Sequence, residues 1–343
     1  MTTQAVTKTM KSALFYEPGV VRYEDVPIPQ PDAGELVIQI DTALTCGTDV
    51  KCYRRGHPVL LKNFPSPFGH ECSGVVYAIG DGVNRFEIGD RVAAANSAPC
   101  YACFYCRKGK YNLCEHLDLL NGAYAEYLKI PAQIVARNTL KVPDHVSLEA
   151  AAFTEPLAMA LRGVEMSEIN SGDRVAVIGL GPIGQLLVKA AKNRGAHVTA
   201  FGRSPRKLHT AIEFGGADAV VNMTESVSIP EIGYDVVIEA VGKPEVWQLA
   251  VNLVRKGGVV NLFGGCKAGT TVEFDTRRLH YDEITLIGMF HHTPMHFRQA
   301  LEAMASCDID PAGLITHAMP MAEFEQALQM VESGEALKVA LKP

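Results

Sequence analysis

The sequence predicts a two-domain α/β protein in which a strand-rich domain precedes a domain built on a doubly wound parallel sheet. The chain has 343 residues, more than a single domain usually holds. Up to about residue 150, short apolar runs alternate with Gly and Pro, without a long helical pattern between them. From Asp173 onward, short apolar strands alternate with helices, which is the pattern of a doubly wound sheet.

The strand-rich part is predicted from short segments that are bounded by turn residues. The clearest strands are 35–40 (ELVIQI), 74–79 (GVVYAI) and 91–95 (RVAAA). Near Leu148 the pattern changes to LEAAAFTEPLAMALRGVEM, in which apolar residues recur at helical spacing. We therefore expect a helix where the first domain gives way to the second.

The second part predicts five almost entirely apolar strands, which suit a parallel sheet that is covered on both faces. Their ranges are 174–179, 197–202, 234–240, 258–263 and 284–289. Helices are predicted over about 182–194, from the second strand to the Gly215–Gly216 pair, and over about 296–305. The final stretch, 318–341, has both helix and strand character.

Composition and charge exclude several classes of protein. Hydrophobic residues make up 48% and charged residues 20%, which is average for a globular chain and excludes a disordered or fibrous one. The net charge of −6 argues against nucleic acid or an anionic membrane as the partner. The first residues (MTTQAVTKTMK) lack the apolar core of a secretory signal, and no apolar run reaches the roughly 20 residues of a membrane span. We therefore expect a cytoplasmic protein, in which nine cysteines indicate metal binding rather than disulfides.

A glycine-rich turn lies between the first strand and the first helix of the predicted parallel sheet. Residues 179–184 read Gly-Leu-Gly-Pro-Ile-Gly, which fits G-x-G-x-x-G. In that motif the first glycine permits the tight turn, the second admits a pyrophosphate and the third allows close helix–strand packing. An ordinary glycine turn is the alternative, but the strand–turn–helix context favours a dinucleotide site. The residues expected to contact the dinucleotide are Gly179, Gly181, Pro182, Ile183 and Gly184.

The end of the second strand predicts which dinucleotide binds. A site that prefers NAD usually has Asp or Glu about 20 residues after the glycine turn, on the ribose 2′-hydroxyl. Here the strand ends in Gly202-Arg203-Ser204-Pro205-Arg206, without a carboxylate. Arg203 and Arg206 can pair with a 2′-phosphate, and Ser204 can donate a further hydrogen bond. The loop therefore favours NADP over NAD, with a solvated basic loop as the alternative.

Four cysteines lie close together in a C-x2-C-x2-C-x7-C pattern. They are Cys100, Cys103, Cys106 and Cys114. Four thiolates on one short lobe fit a closed tetrahedral zinc site, which stabilises the fold and leaves no position open for chemistry. An iron–sulfur cluster is the alternative metal centre, because its spacing can be similar.

A second set of metal-ligating residue types is dispersed along the chain. Cys46 stands in Thr-Cys-Gly-Thr-Asp, His70 and Glu71 stand in Gly-His-Glu, and Glu155 stands in Thr-Glu-Pro. A catalytic zinc keeps three protein ligands and one open position, and Cys, His and carboxylate are suitable ligands. Each residue also has a purely structural interpretation: a buried small thiol, a satisfied histidine and a charge at a helix N-terminus. Spacing alone does not link them.

Together these motifs resemble the zinc-containing medium-chain dehydrogenase/reductases of the alcohol dehydrogenase superfamily, over essentially the whole chain. They occur in the order that the family shows. They are Cys-Gly-Thr-Asp at 46–49, Gly-His-Glu-x-x-Gly at 69–74, Gly-Asp-Arg-Val at 89–92, the four-cysteine lobe at 100–114, Glu-Pro-Leu-Ala at 155–158 and the nucleotide turn at 179–184.

The resemblance implies a GroES-like β-barrel catalytic domain at 1–157, completed by 296–343, and a Rossmann coenzyme domain at 158–295. It also implies two zinc ions per chain, a structural one on the cysteine lobe and a catalytic one. Around the catalytic zinc it places Cys46, His70 and Glu155, with Glu71 as a ligand that can take or exchange a place. Thr48 is the candidate for the hydroxyl that passes a proton outward.

Glu-Pro-Leu-Ala at 155–158, in place of a third cysteine, resembles the polyol and threonine dehydrogenase branch. We therefore expect hydride transfer between NAD(P)⁺ and a small secondary alcohol (a polyol, cyclitol or sugar), in a homodimer or homotetramer. His291 stands where polyol dehydrogenases carry an arginine, which argues against sorbitol itself, and Lys51 replaces a histidine of many relatives. The alternatives are an amino-alcohol dehydrogenase similar to L-threonine 3-dehydrogenase and a non-catalytic protein that binds nucleotide and zinc.

Overall fold

A computed structural model places the strands of the chain in two units, each with sheets of its own. The structure describes residues 8–58, 60–61, 63–225 and 231–343. One unit comprises Met1–Glu155 with Phe297–Pro343, and the other comprises Pro156–His296. Within the described ranges, no helix is both long and apolar enough to cross a membrane.

In the described residues up to Glu155, the first unit has ten short strands and four short helices. The strands are β1 (Thr9–Glu17), β2 (Val20–Pro27), β3 (Leu36–Leu44), β4 (Ser66–Pro67), β5 (Cys72–Ile79), β6 (Arg91–Ala94), β7 (Ser97–Ala98), β8 (Asp118–Leu119), β9 (Tyr127–Ile130) and β10 (Thr139–Lys141). The helices are α1 (Gly47–Arg55), α2 (Phe104–Arg107), α3 (Ala132–Asn138) and α4 (Leu148–Ala151). The strand pattern did not predict α1, because its sequence GTDVKCYRR has no apolar period and buries only Asp49 and Cys52.

The second unit is a parallel sheet with helices between its strands. The strands are β11 (Arg174–Ile178), β12 (His197–Gly202), β13 (Ala219–Asn222), β14 (Tyr234–Glu239), β15 (Val254–Leu262) and β16 (Thr285–Gly288). The helices between the strands are α6 (Pro182–Asn193), α7 (Pro205–Glu213), α8 (Pro244–Leu253) and α9 (Thr276–Tyr281). Helix α5 (Thr154–Met166) precedes the sheet and begins in the last residues of the first unit, and α10 (Pro294–Ala305) follows the sheet and continues into the first unit. The sheet order is β13-β12-β11-β14-β15-β16, and every pair is parallel. The predicted doubly wound sheet is confirmed.

The helix predicted from Leu148 is in fact two helices. The first, α4, ends at Ala151, and α5 begins at Thr154. Pro156 therefore lies in the first turn of α5, where the N–H that it lacks would have no partner within the helix.

The C-terminal segment completes the largest sheet of the first unit. It contains β17 (Ile315–Pro320), α11 (Phe324–Ser333) and β18 (Lys338–Lys342). The sheet order is β10-β6-β5-β3-β18-β17, with β9 also paired to β3. Because β18 is hydrogen-bonded to β3, the last residues of the chain lie beside residues that precede α1. Two smaller sheets, β2-β1-β4 and β7-β8, complete the unit.

An aromatic row in the core of the first unit leads to the candidate metal site. The rings of Phe15 and Phe68 lie 6.3 Å apart, those of Phe68 and Tyr124 5.7 Å, and those of Tyr124 and Phe324 6.1 Å. Gly69 has a φ of +87°, and a Cβ there would stand 2.3 Å from a ring carbon of Tyr124. Glycine is therefore required immediately before His70, so that the chain can pass over the buried tyrosine ring.

Candidate metal and nucleotide sites

The four cysteines of the lobe form a compact tetrahedron of sulfur atoms. All four Sγ atoms lie within 4.8 Å of one another, with Cys100 and Cys106 4.0 Å apart and Cys103 and Cys114 3.9 Å apart. A tetrahedral ion with metal–sulfur bonds of about 2.3 Å requires sulfur–sulfur edges of about 3.8 Å. The cluster therefore fits a single tetrahedral ion, and it is too small to enclose the several metals of a multi-iron cluster.

Backbone N–H groups around the lobe favour the thiolate form that binds metals. Ala102 and Cys103 donate to the Sγ of Cys100 at 3.4 and 3.3 Å, and these bonds lower the pKa of the Cys100 thiol to about 6. Cys100 and His116 donate to the Sγ of Cys114 at 3.2 and 3.3 Å. All nine cysteines of the chain are free thiols. The donor set and its hydrogen bonds thus suit a closed metal site.

Cys46, His70 and Glu71 of the second set come together at the ends of two neighbouring strands. Cys46 caps α1 immediately after β3, whereas His70 and Glu71 immediately precede β5. Because β3 and β5 pair antiparallel, with Ala43 opposite Cys72, the end of β3 lies beside the start of β5. One ligating atom from each of Cys46, His70 and Glu71 lies within 4.8 Å of the other two. Cys, His and carboxylate at this separation could hold one metal ion.

His70 is oriented by a buried carboxylate. Its Nδ1 lies 2.9 Å from Oδ1 of Asp49, whose other oxygen accepts hydrogen bonds from the Tyr124 hydroxyl at 2.9 Å and the Cys46 N–H at 3.0 Å. Burial disfavours the charged imidazole, but the Asp49 carboxylate outweighs it and raises the pKa of His70 well above its usual value. With Nδ1 directed at Asp49, Nε2 is the nitrogen that remains for a metal.

Glu71 forms an ion pair in the interior of the unit. Its Oε2 contacts the Nζ of Lys338 in β18, and the side chains are 1% and 2% exposed. The ammonium also lies 5.6 Å from the ring centroid of Phe153. Burial disfavours the charged lysine, but Glu71 outweighs this effect, so the pKa of Lys338 is raised. Because Glu71 is already paired with Lys338, its carboxylate can exchange between the lysine and a metal ion.

Glu155 is buried and belongs electrostatically to the same cluster. Its Oε1 accepts a hydrogen bond from the Asn96 amide at 3.0 Å. Burial, followed by the neighbouring Glu71 carboxylate, raises the pKa of Glu155 to about 7. A carboxyl group of this kind can gain or lose a proton near neutral pH. Thr48, in the first turn of α1, donates its backbone N–H to the Cys46 sulfur at 3.4 Å, and its side chain is half-buried.

The glycine turn between β11 and α6 leaves room for a phosphate. Gly179 has a φ of +99°, and a Cβ there would stand 2.6 Å from the Val241 side chain. A Cβ on Gly184 would stand 1.8 Å from the carbonyl oxygen of Gly179, so only glycine permits this helix–strand approach. Gly181, by contrast, faces open space, with nothing within 4 Å of its Cβ position. Pro182 and the half-buried Ile183 form the first turn of α6, whose N–H groups face that space.

The basic loop follows the next strand of the sheet. Gly202 ends β12 and is packed so closely against Leu180 that a Cβ would stand 2.8 Å from it. Arg203 and Arg206 are exposed, and Ser204 caps α7 without a side-chain capping bond. The loop therefore offers two guanidinium groups and a hydroxyl at the carboxyl end of β12, where a doubly wound sheet binds a nucleotide.

Four residues that support the site were not identified from the sequence. They are Asp49, Asn96, Tyr124 and Lys338. Asp49 carried a usable signal, because it stands three residues after Cys46 and a ligating histidine needs an acceptor for its second ring nitrogen. Lys338 gave a weaker signal, as a cation within the otherwise apolar residues 337–341 (LKVAL).

Comparison with known proteins identifies relatives over nearly the full length. Residues 32–144 match the alcohol dehydrogenase GroES-like domain, and residues 182–306 match the zinc-binding dehydrogenase domain. A sorbitol dehydrogenase of Halalkalibacterium halodurans is 33% identical over 337 residues, covering 93% of this chain and 95% of the relative. An L-threonine 3-dehydrogenase of Bacillus subtilis is 31% identical over 333 residues, covering 93% and 94%. A crystal structure described as a zinc-binding dehydrogenase of Sinorhizobium meliloti, bound to NADP, has a TM-score of 0.90 at 28% identity and covers 98% of this chain and 100% of that chain.

Proposed function

Because the chain belongs to the zinc-containing medium-chain dehydrogenase/reductase family, we propose that it oxidises a secondary alcohol with neighbouring hydroxyl groups, using NADP⁺. The observation that carries the proposal is the Cys46–His70–Glu71 cluster, in which His70 and Glu71 are buried and Cys46 is half-buried, and which lies in addition to a complete four-sulfur site. Relatives named sorbitol dehydrogenase and erythritol/L-threitol dehydrogenase support a polyol, cyclitol or sugar as the substrate. The chain is thus an alcohol or polyol dehydrogenase, and the substrate within that class is the subject of the test below.

We assign two zinc ions to each chain. The four cysteines of the lobe would hold the structural ion, and Cys46, His70 and Glu155 would hold the catalytic ion, with Glu71 able to take or exchange a place. When bound, the catalytic ion supplies Lewis acidity, which lowers the pKa of an alcohol.

The residues of the chain would orient ligands and move a proton. Asp49 fixes the His70 ring so that Nε2 points toward Cys46. Glu155, with its pKa near 7, or Glu71 accepts the proton of the alcohol. The half-buried Thr48 hydroxyl would pass that proton outward.

The coenzyme would be bound by the doubly wound domain, which we assign to 158–295, with 1–157 and 296–343 forming the catalytic domain. NADP⁺, when bound, supplies the hydride acceptor. The N-terminus of α6 and the open face of Gly181 would receive its pyrophosphate. Arg203 and Arg206, with Ser204, would pair with the 2′-phosphate.

An amino alcohol is the second candidate substrate. The L-threonine 3-dehydrogenase of Bacillus subtilis is 31% identical to this chain, close to the 33% of the sorbitol dehydrogenase, so sequence identity does not separate the two classes. Turnover of threonine alone would move the assignment to that class.

The direct test is a screen of zinc-loaded protein for NADP⁺ and NAD⁺ reduction on polyols, cyclitols, sugars, amino alcohols and simple alcohols, with chelator-treated protein alongside. We expect chelator-sensitive turnover on a polyol or cyclitol. Metal content without turnover on any alcohol would favour a non-catalytic protein.

Coenzyme choice is tested by binding. Arg203→Asp should weaken NADP⁺ binding by about tenfold or more, because a charge-assisted contact to phosphate is lost. Arg194→Asp, the same change at an exposed arginine after α6, should leave the affinity unaltered. Tighter binding of NAD⁺ than NADP⁺ by the wild-type protein would contradict the assignment of the basic loop.

A further inference from the structure

The segment from Phe290 to His296, after β16, is held by two side chains of α5. Nη1 of Arg162 donates to the carbonyl oxygens of Phe290 at 2.8 Å and His291 at 2.6 Å. Oε2 of Glu165 lies 3.2 Å from Nε2 of His296. Arg162 and Glu165 are three residues apart, so they lie on one face of the helix. The same helix face therefore fixes both ends of the segment.

Arg162 is an unusual residue for such a buried position. It is 8% exposed, and in the part of the chain that the structure describes it makes no ion pair within 4.0 Å. Burial lowers the pKa of the guanidinium, with Glu165 acting in the opposite direction. A cation is costly to bury without a contacting carboxylate, whereas an unbranched apolar side chain would fill similar space without that cost. The hydrogen bonds to the two carbonyl groups, rather than packing alone, therefore account for an arginine here.

The backbone that Arg162 holds is in a strained conformation. His291 has a φ of +62°, a left-handed conformation that residues other than glycine adopt rarely and at a cost. Rotation of His291 out of this region would move the carbonyl that accepts the 2.6 Å bond. Arg162 thus stabilises a conformation that the segment would not favour by itself. The conformation sets the His291 and His292 rings with their centroids 4.3 Å apart.

The sheet order places this segment at one end of the coenzyme. In a doubly wound sheet the dinucleotide lies across the carboxyl ends of the strands, one half over each mononucleotide-binding half of the sheet. The half formed by β11, β12 and β13 carries the basic loop for the adenosine 2′-phosphate. The other half, β14, β15 and β16, therefore faces the nicotinamide. The segment continues from the carboxyl end of β16 and so lies on the nicotinamide side.

We propose that Arg162 is a positioning residue for alcohol oxidation: by fixing the backbone of Phe290 and His291, it places the His291 and His292 rings at the nicotinamide half of the coenzyme site. This inference rests on the proposed function. Arg162 itself touches neither coenzyme nor alcohol and acts through the segment.

The test compares Arg162→Met with Arg162→Lys and with Arg194→Met, the matched change at an exposed arginine. For Arg162→Met we expect kcat/KM for the alcohol to fall about tenfold or more, because small displacements of groups at a reacting centre slow the reaction strongly. Binding of 2′-phospho-ADP-ribose, which lacks the nicotinamide, should stay within about twofold of wild type. The kcat/KM of Arg162→Lys should lie between those of wild type and Arg162→Met, since an ammonium group keeps the charge without the geometry of the guanidinium group. Arg194→Met should match wild type.

Hydrogen exchange provides a readout that needs no turnover. Amides of 291–296 should exchange faster in Arg162→Met, while amides of the 179–184 turn should not change. A kcat/KM within about twofold of wild type, or a parallel loss of 2′-phospho-ADP-ribose binding, would overturn the inference. If Arg162→Met does not fold, the same measurements on Arg162→Lys, compared with wild type, test the inference instead. Wild-type protein that oxidises no alcohol removes the proposed function and this inference together, whereas active wild type with an unaffected variant removes the inference alone.

Discussion

The two candidate metal clusters of the first unit are built in opposite ways. The cysteine lobe takes all four of its ligands from residues 100–114, and its supporting hydrogen bonds come from nearby backbone N–H groups. The second cluster, Cys46, His70 and Glu71, takes its candidate ligands from the end of β3 and the start of β5. There the candidate ligands have buried side-chain partners: Asp49 for His70 and Lys338 for Glu71.

The difference indicates what each cluster can do. Four sulfurs at tetrahedral edge lengths saturate an ion, so the lobe can stabilise structure but has no place for a substrate. In the second cluster, Glu71 is held by an ion pair of its own, and the neighbouring Glu155 has its pKa raised to about 7 by burial and by the Glu71 carboxylate. Ligands that have alternative partners can leave a coordination position open. We therefore infer that the lobe serves stability and that the second cluster serves chemistry.

The largest effect should come from removing a ligand of the second cluster. Cys46→Ala should reduce alcohol oxidation by about a thousandfold or more, because the Lewis acid is lost. It should also remove one metal ion per chain while the lobe keeps its own. Metal analysis and steady-state kinetics check this. The matched control is Cys52→Ala, a buried thiol one turn and a half further along α1, which should retain both metals and most activity. Loss of both metals from Cys46→Ala would contradict the separation of the two sites.

The corresponding change in the lobe should affect stability instead. Cys106→Ser removes one of four ligands and should lower the free energy of unfolding by about 3–5 kcal/mol, since binding of a structural metal contributes to folding. Chemical denaturation measures the loss. Protein that remains folded should keep alcohol oxidation close to the wild-type value per catalytic metal. A stable variant with abolished turnover would assign the lobe a catalytic role.

Breaking the buried ion pair between Glu71 and Lys338 should destabilise the fold about as much as removing a cysteine of the lobe. Lys338→Met leaves Glu71 without its cation in the interior, which should cost about 3–5 kcal/mol of folding free energy. The double variant Glu71→Gln/Lys338→Met should recover at least half of that loss, because no unpaired charge remains. Unfolding midpoints of the two single variants and the double variant form the cycle. Additive losses would show that the pair is not coupled.

The smallest effect should come from the residue that orients His70. Asp49→Asn keeps an oxygen that can accept hydrogen bonds but removes the charge, and should weaken metal binding at the second cluster by about 10–100-fold. Titration with a competing chelator measures this affinity. The lobe should keep its metal with wild-type affinity. Asp25→Asn, which alters an exposed ion pair with Lys11, serves as the control and should change neither site.

The sequence predicted the fold well where local pattern determines structure. Five strands of the parallel sheet were predicted, because most of them are short, apolar and separated by helical segments, whereas β13 (Ala219–Asn222) was missed. Helix α1 was missed because it is stabilised by its cap rather than by an apolar face. The Cys46 sulfur accepts the Thr48 N–H, and the Asp49 carboxylate accepts the Cys46 N–H. The break between α4 and α5 was missed because the apolar period continues across it.

For the candidate site, the sequence predicted the residues that could bind a metal but not the buried side chains that support them. The structure brings Cys46, His70 and Glu71 together, and their metal-binding role stays a prediction. Lys338 could not be linked to Glu71, because 267 positions separate them and only the pairing of β18 with β3 brings them into contact. Long-range strand pairing of this kind leaves no trace in local periodicity.

Stepwise removal of metal can separate the roles of the two clusters in a single experiment. Zinc-loaded protein is exposed to increasing chelator while zinc content, NADP⁺-dependent alcohol oxidation and the thermal unfolding midpoint are measured on the same samples. We expect activity to disappear with the first zinc ion removed, whereas the unfolding midpoint should fall only with the second. Activity that survives the loss of the first ion, or a midpoint that falls together with activity, would contradict the division into a catalytic and a structural site.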